Sequence, residues 1–135
     1  MSDCIFCKIA NGEIPSYKIY EDDNFLAFLD ISQATIGHTL VIPKKHYENI
    51  FELPEDIDIF KVVVKVANAL NESLNIDGLN IVNNNKEAAG QTVNHYHIHL
   101  IPRYKDDDFK IVFSSNNLDK NDFISLQQKI TDNIK

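Results

Sequence analysis

Short segments with apolar side chains at alternate positions predict β-strands along much of this chain. Residues 25–31, 38–42, 79–83 and 91–101 follow the two-residue period, and Pro102 is expected to stop the last of them. Residues 110–113 predict one more short strand. Because most neighbouring strands have no helical segment between them, the pattern favours an antiparallel α+β arrangement over a doubly wound parallel sheet.

Two other segments have the helical period. Residues 54–74 carry apolar side chains three or four positions apart, with Pro54 in the expected first turn and Gly78 at the exit. Residues 62–64 are three consecutive valines that alone suggest a strand, but the length of the periodic segment favours a helix. A second helix is predicted near the C-terminus, with one side formed by Phe123, Gln127, Ile130 and Ile134.

Length and composition indicate one folded domain spanning residues 1–135, with 44% hydrophobic and 24% charged residues. The formal net charge of -7 argues against a nucleic-acid-binding surface, although it allows a local site for one phosphorylated small molecule. The chain has no apolar run long enough to span a bilayer and no recognisable signal peptide. We therefore expect a cytoplasmic protein without membrane partners, whose two cysteines stay reduced.

Three of the five histidines, His95, His97 and His99, stand at alternate positions of one predicted strand. A strand directs these three imidazoles to one side of the sheet. The side chains between them would point into a core: Tyr96, Ile98 and Leu100. A row of imidazoles can hold an anion, move a proton, attack an electrophile or bind a metal. The alternative is a solvated polar face of an edge strand.

Further polar groups lie near this histidine strand. Gly90 precedes Gln91 and Thr92, so that a flexible backbone position is followed by two neutral hydrogen-bonding side chains. A fourth histidine, His38, opens another predicted strand directly after Gly37. If the two strands are neighbours, four imidazoles share one site; alternatively, His38 has only a structural role.

The two cysteines, Cys4 and Cys7, have the spacing of half a zinc site. The remaining ligands would come from elsewhere in the chain, and His46 and His95 are the candidates. Four protein ligands would close the coordination shell, which is typical of a structural metal. A redox pair and two buried thiols are the alternatives.

Together, these motifs resemble the histidine triad (HIT) family of nucleotide hydrolases and transferases. The resemblance rests on Gly-Gln-Thr-Val before His-x-His-x-His, on Phe-Leu-Asp-Ile at 28–31, on residues 37–46, and on Asn83 before a polar loop. It extends from Cys4 to Arg103, whereas residues 105–135 carry no family signal. The resemblance implies an antiparallel sheet of about five strands with one long helix, and a homodimer whose sheets join.

The resemblance also implies a covalent mechanism. His97 would attack the α-phosphate, and water would then release the nucleoside monophosphate. His99 and His38 would stabilise the developing charge on the phosphate, and Gln91 would assist near the scissile bond. The substrate contacts implied are Asp30 at the ribose hydroxyls, Ile31 beside the base, and Asn83 and Thr92 near the phosphate or the leaving group. Bacterial-type members resemble this chain in having two N-terminal cysteines, and they imply a structural Zn²⁺ held by Cys4, Cys7, His46 and His95.

Branches of the family differ in their substrates. The Cys-x-x-Cys start resembles the branch that cleaves purine nucleoside phosphoramidates, including AMP-lysine-like compounds, and we favour this reaction. Thr92 and the Pro102-Arg103 pair look more like the branch that cleaves diadenosine polyphosphates. A nucleotide-binding module with little turnover is a further alternative, against which the intact middle histidine argues.

Overall fold

A computed structural model of the protein describes residues 3–135. In this range, one antiparallel sheet of five strands has the order β1-β2-β3-β5-β4. The strands are β1 (Lys18–Glu21), β2 (Phe25–Leu29), β3 (Thr39–Pro43), β4 (Gly78–Val82) and β5 (Ile98–Arg103). The helices are α1 (Ile5–Ala10), α2 (Ile59–Leu74) and α3 (Lys120–Thr131). The predicted α+β class, with about five antiparallel strands, one long helix and a C-terminal helix, is confirmed.

Both faces of the sheet are covered in its centre, so β2 and β3 are buried almost throughout. The long helix α2 packs on one face, where its valines meet alternate residues of the central strands: Phe25, Ala27, Val41, Ile98 and Leu100. The short helix α1 packs on the other face through Phe6 and Ile9, against Leu26, Phe28, Leu40 and Ile42. Each large apolar side chain buried in this way contributes roughly 1.5–3 kcal/mol.

The long helix begins later than its periodicity predicts. Pro54 lies in a preceding turn, in which its carbonyl oxygen accepts from the Ile57 N–H at 3.2 Å, and the helix starts at Ile59. It ends at Leu74, and Asn75, with a left-handed backbone (φ of 50°), caps the last turn. The expected exit residue, Gly78, instead opens β4.

The histidine strand is shorter at its start than predicted and continues past its predicted stop. Residues 91–97 form no strand, and two of their N–H groups donate to carbonyls outside the sheet: Gln91 to Lys86 at 3.2 Å and Tyr96 to Tyr47 at 2.6 Å. Pairing with β4 continues through Pro102, which stands opposite Leu79. The prediction that Pro102 ends the strand is therefore wrong. Strand β2 ends at Leu29, two residues before its predicted end.

The C-terminal part lies outside the packed layers. Residues 104–119, which we call the strap, contain no strand, so the strand predicted at 110–113 is wrong. The C-terminal helix is confirmed as α3, and a capping box between Asp119 and Asp122 closes its start. Ile134 lies beyond its end. Among the described residues, no helix is both long and apolar enough to cross a membrane.

Candidate active site and metal cluster

The sheet brings three histidines together on the face that α1 covers. His99 lies within β5 and is paired with Leu40 of β3, so that His38, just before β3, reaches the same place. The ring centroids of His38 and His99 are 5.1 Å apart, and those of His97 and His99 are 5.0 Å apart. As predicted from the alternation, the intervening side chains lie in the core on the other face of the sheet, beneath α2: Tyr96, Ile98 and Leu100.

The backbone determines which nitrogen of His97 carries the proton. Its Nδ1 lies 2.7 Å from the carbonyl oxygen of His95, and a carbonyl only accepts, so Nδ1–H is the donor. A neutral ring then has its lone pair on Nε2. Burial lowers the pKa of His97, which keeps the ring neutral at pH 7. The result is an imidazole held in the tautomer that a nucleophile needs.

A second backbone group fixes the other two rings. The Ala34 N–H donates to His38 Nδ1 at 3.1 Å, so the proton of a neutral His38 is on Nε2. That Nε2–H donates to His99 Nδ1 at 2.9 Å, which leaves His99 with its own proton on Nε2. Burial, with smaller effects from His97 and His38, lowers the pKa of His99 to about 4. Burial also lowers the pKa of His38, while the nearby Asp30 carboxylate opposes this.

Asp30, His38 and His99 are close enough to be considered as a metal group. The tautomer of His38 argues against it, because a metal on Nε2 would require a proton on Nδ1, where the Ala34 N–H already points. The Asp30 carboxylate lies 3.6 Å from His38 Nε2 and also accepts from the Ser32 N–H at 2.8 Å. We therefore interpret His38 and His99 as a hydrogen-bonded pair, with the Asp30 carboxylate nearby as an electrostatic neighbour.

A cavity of about 430 Å³ opens beside these rings. It includes three of the predicted substrate residues, Asp30, Ile31 and Thr92, together with His97 and His99. Its apolar walls come from α1 and from the strands: Ile5, Phe6, Ile9, Phe28 and Leu40. Ile31 is 88% exposed at the rim, so it is available to a planar apolar ligand. The cavity thus has an apolar wall, a carboxylate at its edge and imidazoles at its base.

The two predicted amide residues hold the site's backbone. Gln91 donates to the carbonyl oxygens of Glu48 (2.7 Å) and Val93 (2.9 Å), and its own oxygen accepts from the Lys86 N–H. Asn83 donates from Nδ2 to the carbonyl oxygen of His97 at 2.9 Å. Both side chains therefore contact the loops that carry the histidines.

The four predicted metal ligands form a second cluster. One ligand atom from each of Cys4, Cys7, His46 and His95 lies within 4.8 Å of the others, a grouping that could hold a metal ion. The Cys7 sulfur is 3.3 Å from His46 Nδ1 and 3.5 Å from His95 Nδ1. The Cys7 N–H also points at the Cys4 sulfur, at 3.3 Å.

The donor set of this cluster fits Zn²⁺. Nε2 of His95 donates to the Pro43 carbonyl at 2.8 Å, which leaves the Nδ1 lone pair directed toward the sulfurs. Burial lowers the pKa of His95 to about 4, so this ring is neutral, as a ligand must be. Burial raises the pKa of the Cys7 thiol to about 11 in the protein alone. A bound cation opposes that effect, because thiolates are the form that coordinates.

The sequence interpretation missed Phe6. Its ring packs edge-on against His97 at 5.1 Å and against His95 at 5.9 Å. The only available signal was its position between Cys4 and Cys7, which ties it to the metal cluster. The Ala34 N–H was also missed, and no side-chain pattern could have revealed a backbone donor.

The comparison with known families agrees with this geometry. A model of the HIT domain matches residues 11–106. The chain belongs to the HIT domain family. Among curated HIT relatives, "Protein hit" of Bacillus subtilis is 54% identical over 116 residues, which cover 84% of this chain and 80% of the relative. An adenosine 5'-monophosphoramidase of Candida albicans, HNT1, is 42% identical over 76% of this chain and 71% of its own length. The adenylylsulfatase HINT3 of Arabidopsis thaliana is 43% identical over 78% of this chain and 55% of its own length.

Solved structures of HIT proteins have the same fold. A HIT family protein from Bacillus anthracis superposes with a TM-score of 0.93 at 50% identity, with 98% of each chain covered. A zinc-bound histidine triad family protein from Mycobacterium smegmatis has a TM-score of 0.72 at 39% identity, with 85% of each chain covered.

Proposed function

We propose that this HIT protein is a nucleotidyl hydrolase that cleaves purine nucleoside phosphoramidates through a covalent intermediate on His97. The observation that carries the proposal is the tautomer of His97. Its Nδ1–H donates to the His95 carbonyl at 2.7 Å, which leaves the lone pair on Nε2. The names of two relatives, a monophosphoramidase and an adenylylsulfatase, support hydrolysis at a nucleotide phosphate.

In the first step, the Nε2 lone pair of His97 attacks the α-phosphorus. A bond forms between Nε2 and phosphorus, and the bond from phosphorus to the leaving nitrogen breaks with its electron pair on that nitrogen. The leaving amine takes a proton from water. The ring becomes cationic, and the hydrogen bond from its Nδ1–H to the His95 carbonyl strengthens.

In the second step, water attacks the same phosphorus and releases the nucleoside monophosphate. The phosphorus–Nε2 bond breaks, its electrons return to His97, and the proton from water passes to solvent. During both steps, the Nε2–H of His99 is positioned to donate to a phosphate oxygen, because His38 holds its Nδ1. Two easier displacements replace one difficult displacement.

Substrate recognition follows from the cavity. The Asp30 carboxylate accepts from the ribose hydroxyls, and Ile31 packs beside the base. Thr92, which also lines this cavity, contacts the phosphate or the leaving group. Gln91 and Asn83 act near the scissile bond mainly by holding the backbone of the histidine loops.

We further propose that Cys4, Cys7, His46 and His95 hold a structural Zn²⁺. The zinc-bound relative and the donor geometry support this assignment. When bound, the ion would tie α1 to the loop that carries His95. We also propose a cytosolic location, in agreement with two cysteines that form no disulfide, and a homodimer, as the family resemblance implies.

The test is release of AMP from adenosine 5′-phosphoramidate at neutral pH by the wild type and by His97→Ala. We expect turnover by the wild type and a loss of about 1,000-fold or more in the variant. A variant that folds and retains a tenth or more of the activity would contradict the role of His97. Faster cleavage of a diadenosine polyphosphate by the wild type would favour the other branch of the family.

A further inference from the structure

The loop between β2 and β3, residues 30–38, carries two groups of the proposed site, Asp30 at its start and His38 at its end. Its ends are joined by the Asp30 N–H, which donates to the His38 carbonyl at 3.0 Å. Its middle is fixed on β5 by the hydroxyl of the buried Thr35, which donates to the Pro102 carbonyl at 2.5 Å. The loop therefore has a defined position beside β5.

The side-chain amide of Gln33 crosses this loop and makes three hydrogen bonds within it. Its Nε2 donates to the carbonyl oxygens of Asp30 and His38, the latter at 2.8 Å. Its Oε1 accepts from the Gly37 N–H at 2.7 Å. These partners also determine the orientation of the amide, because a carbonyl can only accept and an N–H can only donate. One side chain thus ties the start of the loop to its end.

This amide lies next to the backbone group that fixes His38. The N–H that donates to His38 Nδ1 at 3.1 Å belongs to Ala34, in the peptide unit that joins Ala34 to Gln33. Its direction therefore depends on how Gln33 is held. Because Gln33 Nε2 also binds the His38 carbonyl, the ring and the N–H that faces it share one anchor. The tautomer of His38 in turn leaves His99 with its proton on Nε2.

Gly37 gives the loop the turn that this closure needs. Its φ of +100° lies in the left-handed region, and a Cβ there would come within 2.6 Å of Leu74 Cδ1 and 3.0 Å of Pro102 Cγ. A larger residue would strain the backbone and push the turn away from α2 and β5. The N–H that Gln33 accepts is therefore presented by a position that favours glycine.

We propose that Gln33 is a positioning residue, which closes the loop 30–38 and directs the Ala34 N–H at His38. Its effect on the reaction rests on the proposed function. Without the amide, His38 would no longer be held in one tautomer, and His99 would no longer keep its Nε2–H for a phosphate oxygen. Gln33 does not line the cavity beside α1, so it acts through His38 and not on the substrate.

Two variants of Gln33 test this role. Gln33→Glu keeps the oxygen that accepts from the Gly37 N–H but sets a second oxygen against two carbonyls, and Gln33→Met removes all three hydrogen bonds at a similar length. Gln33 is exposed, so both variants should fold. We expect kcat for adenosine 5′-phosphoramidate to fall about 10-fold in each. The KM should stay within about 2-fold, because the Asp30 carboxylate keeps its bond from the Ser32 N–H.

A ¹⁵N NMR spectrum of the imidazole nitrogens gives a second readout, which needs no substrate. At pH 7, the wild type should show His38 with Nδ1 unprotonated and Nε2 protonated, whereas both variants should show a mixture of the two tautomers. Gln127→Glu is the matched control, since Gln127 is an exposed glutamine of α3 whose side chain forms no hydrogen bond with the described residues. It should change neither kcat nor the spectrum of His38.

The two readouts separate the positioning role from the proposed function. A single, unchanged tautomer of His38 in both Gln33 variants would overturn the positioning role whatever the activity. With an active wild type, a kcat within about 2-fold of it in both variants, a loss carried by KM, or an equal loss in Gln127→Glu would also overturn it. If the wild type releases no AMP but both variants show mixed tautomers, the proposed function fails and the positioning of His38 stands.

Discussion

The helices nearest the two ends of the chain, α1 and α3, differ in how they pack against the rest of the protein. Helix α1 has six residues, two of which are buried, and α3 has twelve residues, none of which is buried. Helix α3 has the better local signal at its start, a capping box, and both helices have a lysine in the last turn, Lys8 and Lys129. Packing, and not length or capping, therefore decides which helix belongs to the core.

The two helices also differ in what they contribute to the candidate site. Helix α1 forms a wall of the nucleotide cavity and carries Cys7 of the metal cluster, with Cys4 as its N-cap. The same cluster includes His95, whose carbonyl orients His97. Helix α3 contributes no residue to this nucleotide cavity. Helix α1 is thus coupled to the active site, and helix α3 is not.

Among the tests of this contrast, removal of the metal should change stability most. A bound ion stabilises the folded state by about 4 kcal/mol at a free concentration 1,000-fold above its Kd. We therefore expect a chelator to lower the melting temperature clearly, and zinc to restore it. The measurement is thermal unfolding with and without chelator, alongside metal analysis of the purified protein.

The control for this measurement is Cys7→Ser, which removes one ligand. The variant should contain less than stoichiometric zinc, and its melting temperature should not respond to the chelator. Wild-type protein that contains no zinc and is unaffected by a chelator would contradict the metal assignment.

A matched pair of phenylalanines tests the packing difference. Phe6 on α1 is 7% exposed and Phe123 on α3 is 58% exposed. Phe6→Ala should cost about 3 kcal/mol of unfolding free energy, because it leaves a cavity beside His97. Phe123→Ala should cost less than about 0.5 kcal/mol. Urea unfolding of both variants measures the two losses of unfolding free energy. Equal losses would show that α3 is packed in solution.

The smallest expected effect is a loss of unfolding free energy at acid pH that comes from the lowered pKa of His99. The pKa of this ring is 6.5 when unfolded and about 4 when folded, mainly through burial, with His97 and His38 adding to the decrease and Asp30 opposing it. The unfolded chain therefore binds a proton first as the pH falls, and stability present above pH 6.5 is lost between pH 6.5 and 4. The contribution is about 2 kcal/mol for a partly buried ring.

The check is a difference between the wild type and His99→Asn, measured by denaturant unfolding at pH 7 and at pH 4.5. The wild type should lose more stability than the variant over this interval. Because other histidines titrate in both proteins, only the difference between the two losses is informative. An equal loss in both would contradict the lowered pKa of His99.

The sequence predicted the elements better than their ends. The alternation at His95, His97 and His99 correctly separated the site face from the core face. It predicted too long a strand, because the side chains keep alternating through residues 91–97 although the backbone there pairs with no neighbouring strand. Likewise, the apolar period of α2 was right, but Pro54 lies in a turn and Asn75 closes the helix.

The candidate site was likewise predicted only in part. The pattern of side chains singled out the histidines and cysteines as candidates, the resemblance added Asp30, and the fold brings these residues into two clusters. It could not reveal the tautomers, since these depend on backbone groups of Ala34, Pro43 and His95. It also predicted a strand at residues 110–113, where the structure has none, because a short apolar run does not show whether a neighbouring strand is there to pair with it.

The central claim is that His97 is transiently bonded to phosphorus, and the stereochemistry at the α-phosphorus tests it most directly. The substrate is an adenosine 5′-phosphorothioamidate of known configuration, hydrolysed in ¹⁸O-labelled water by the wild type, with the configuration of the product determined afterwards. Two successive in-line displacements predict overall retention of configuration. Inversion would mean that water attacks the substrate directly, and would contradict a covalent role for His97.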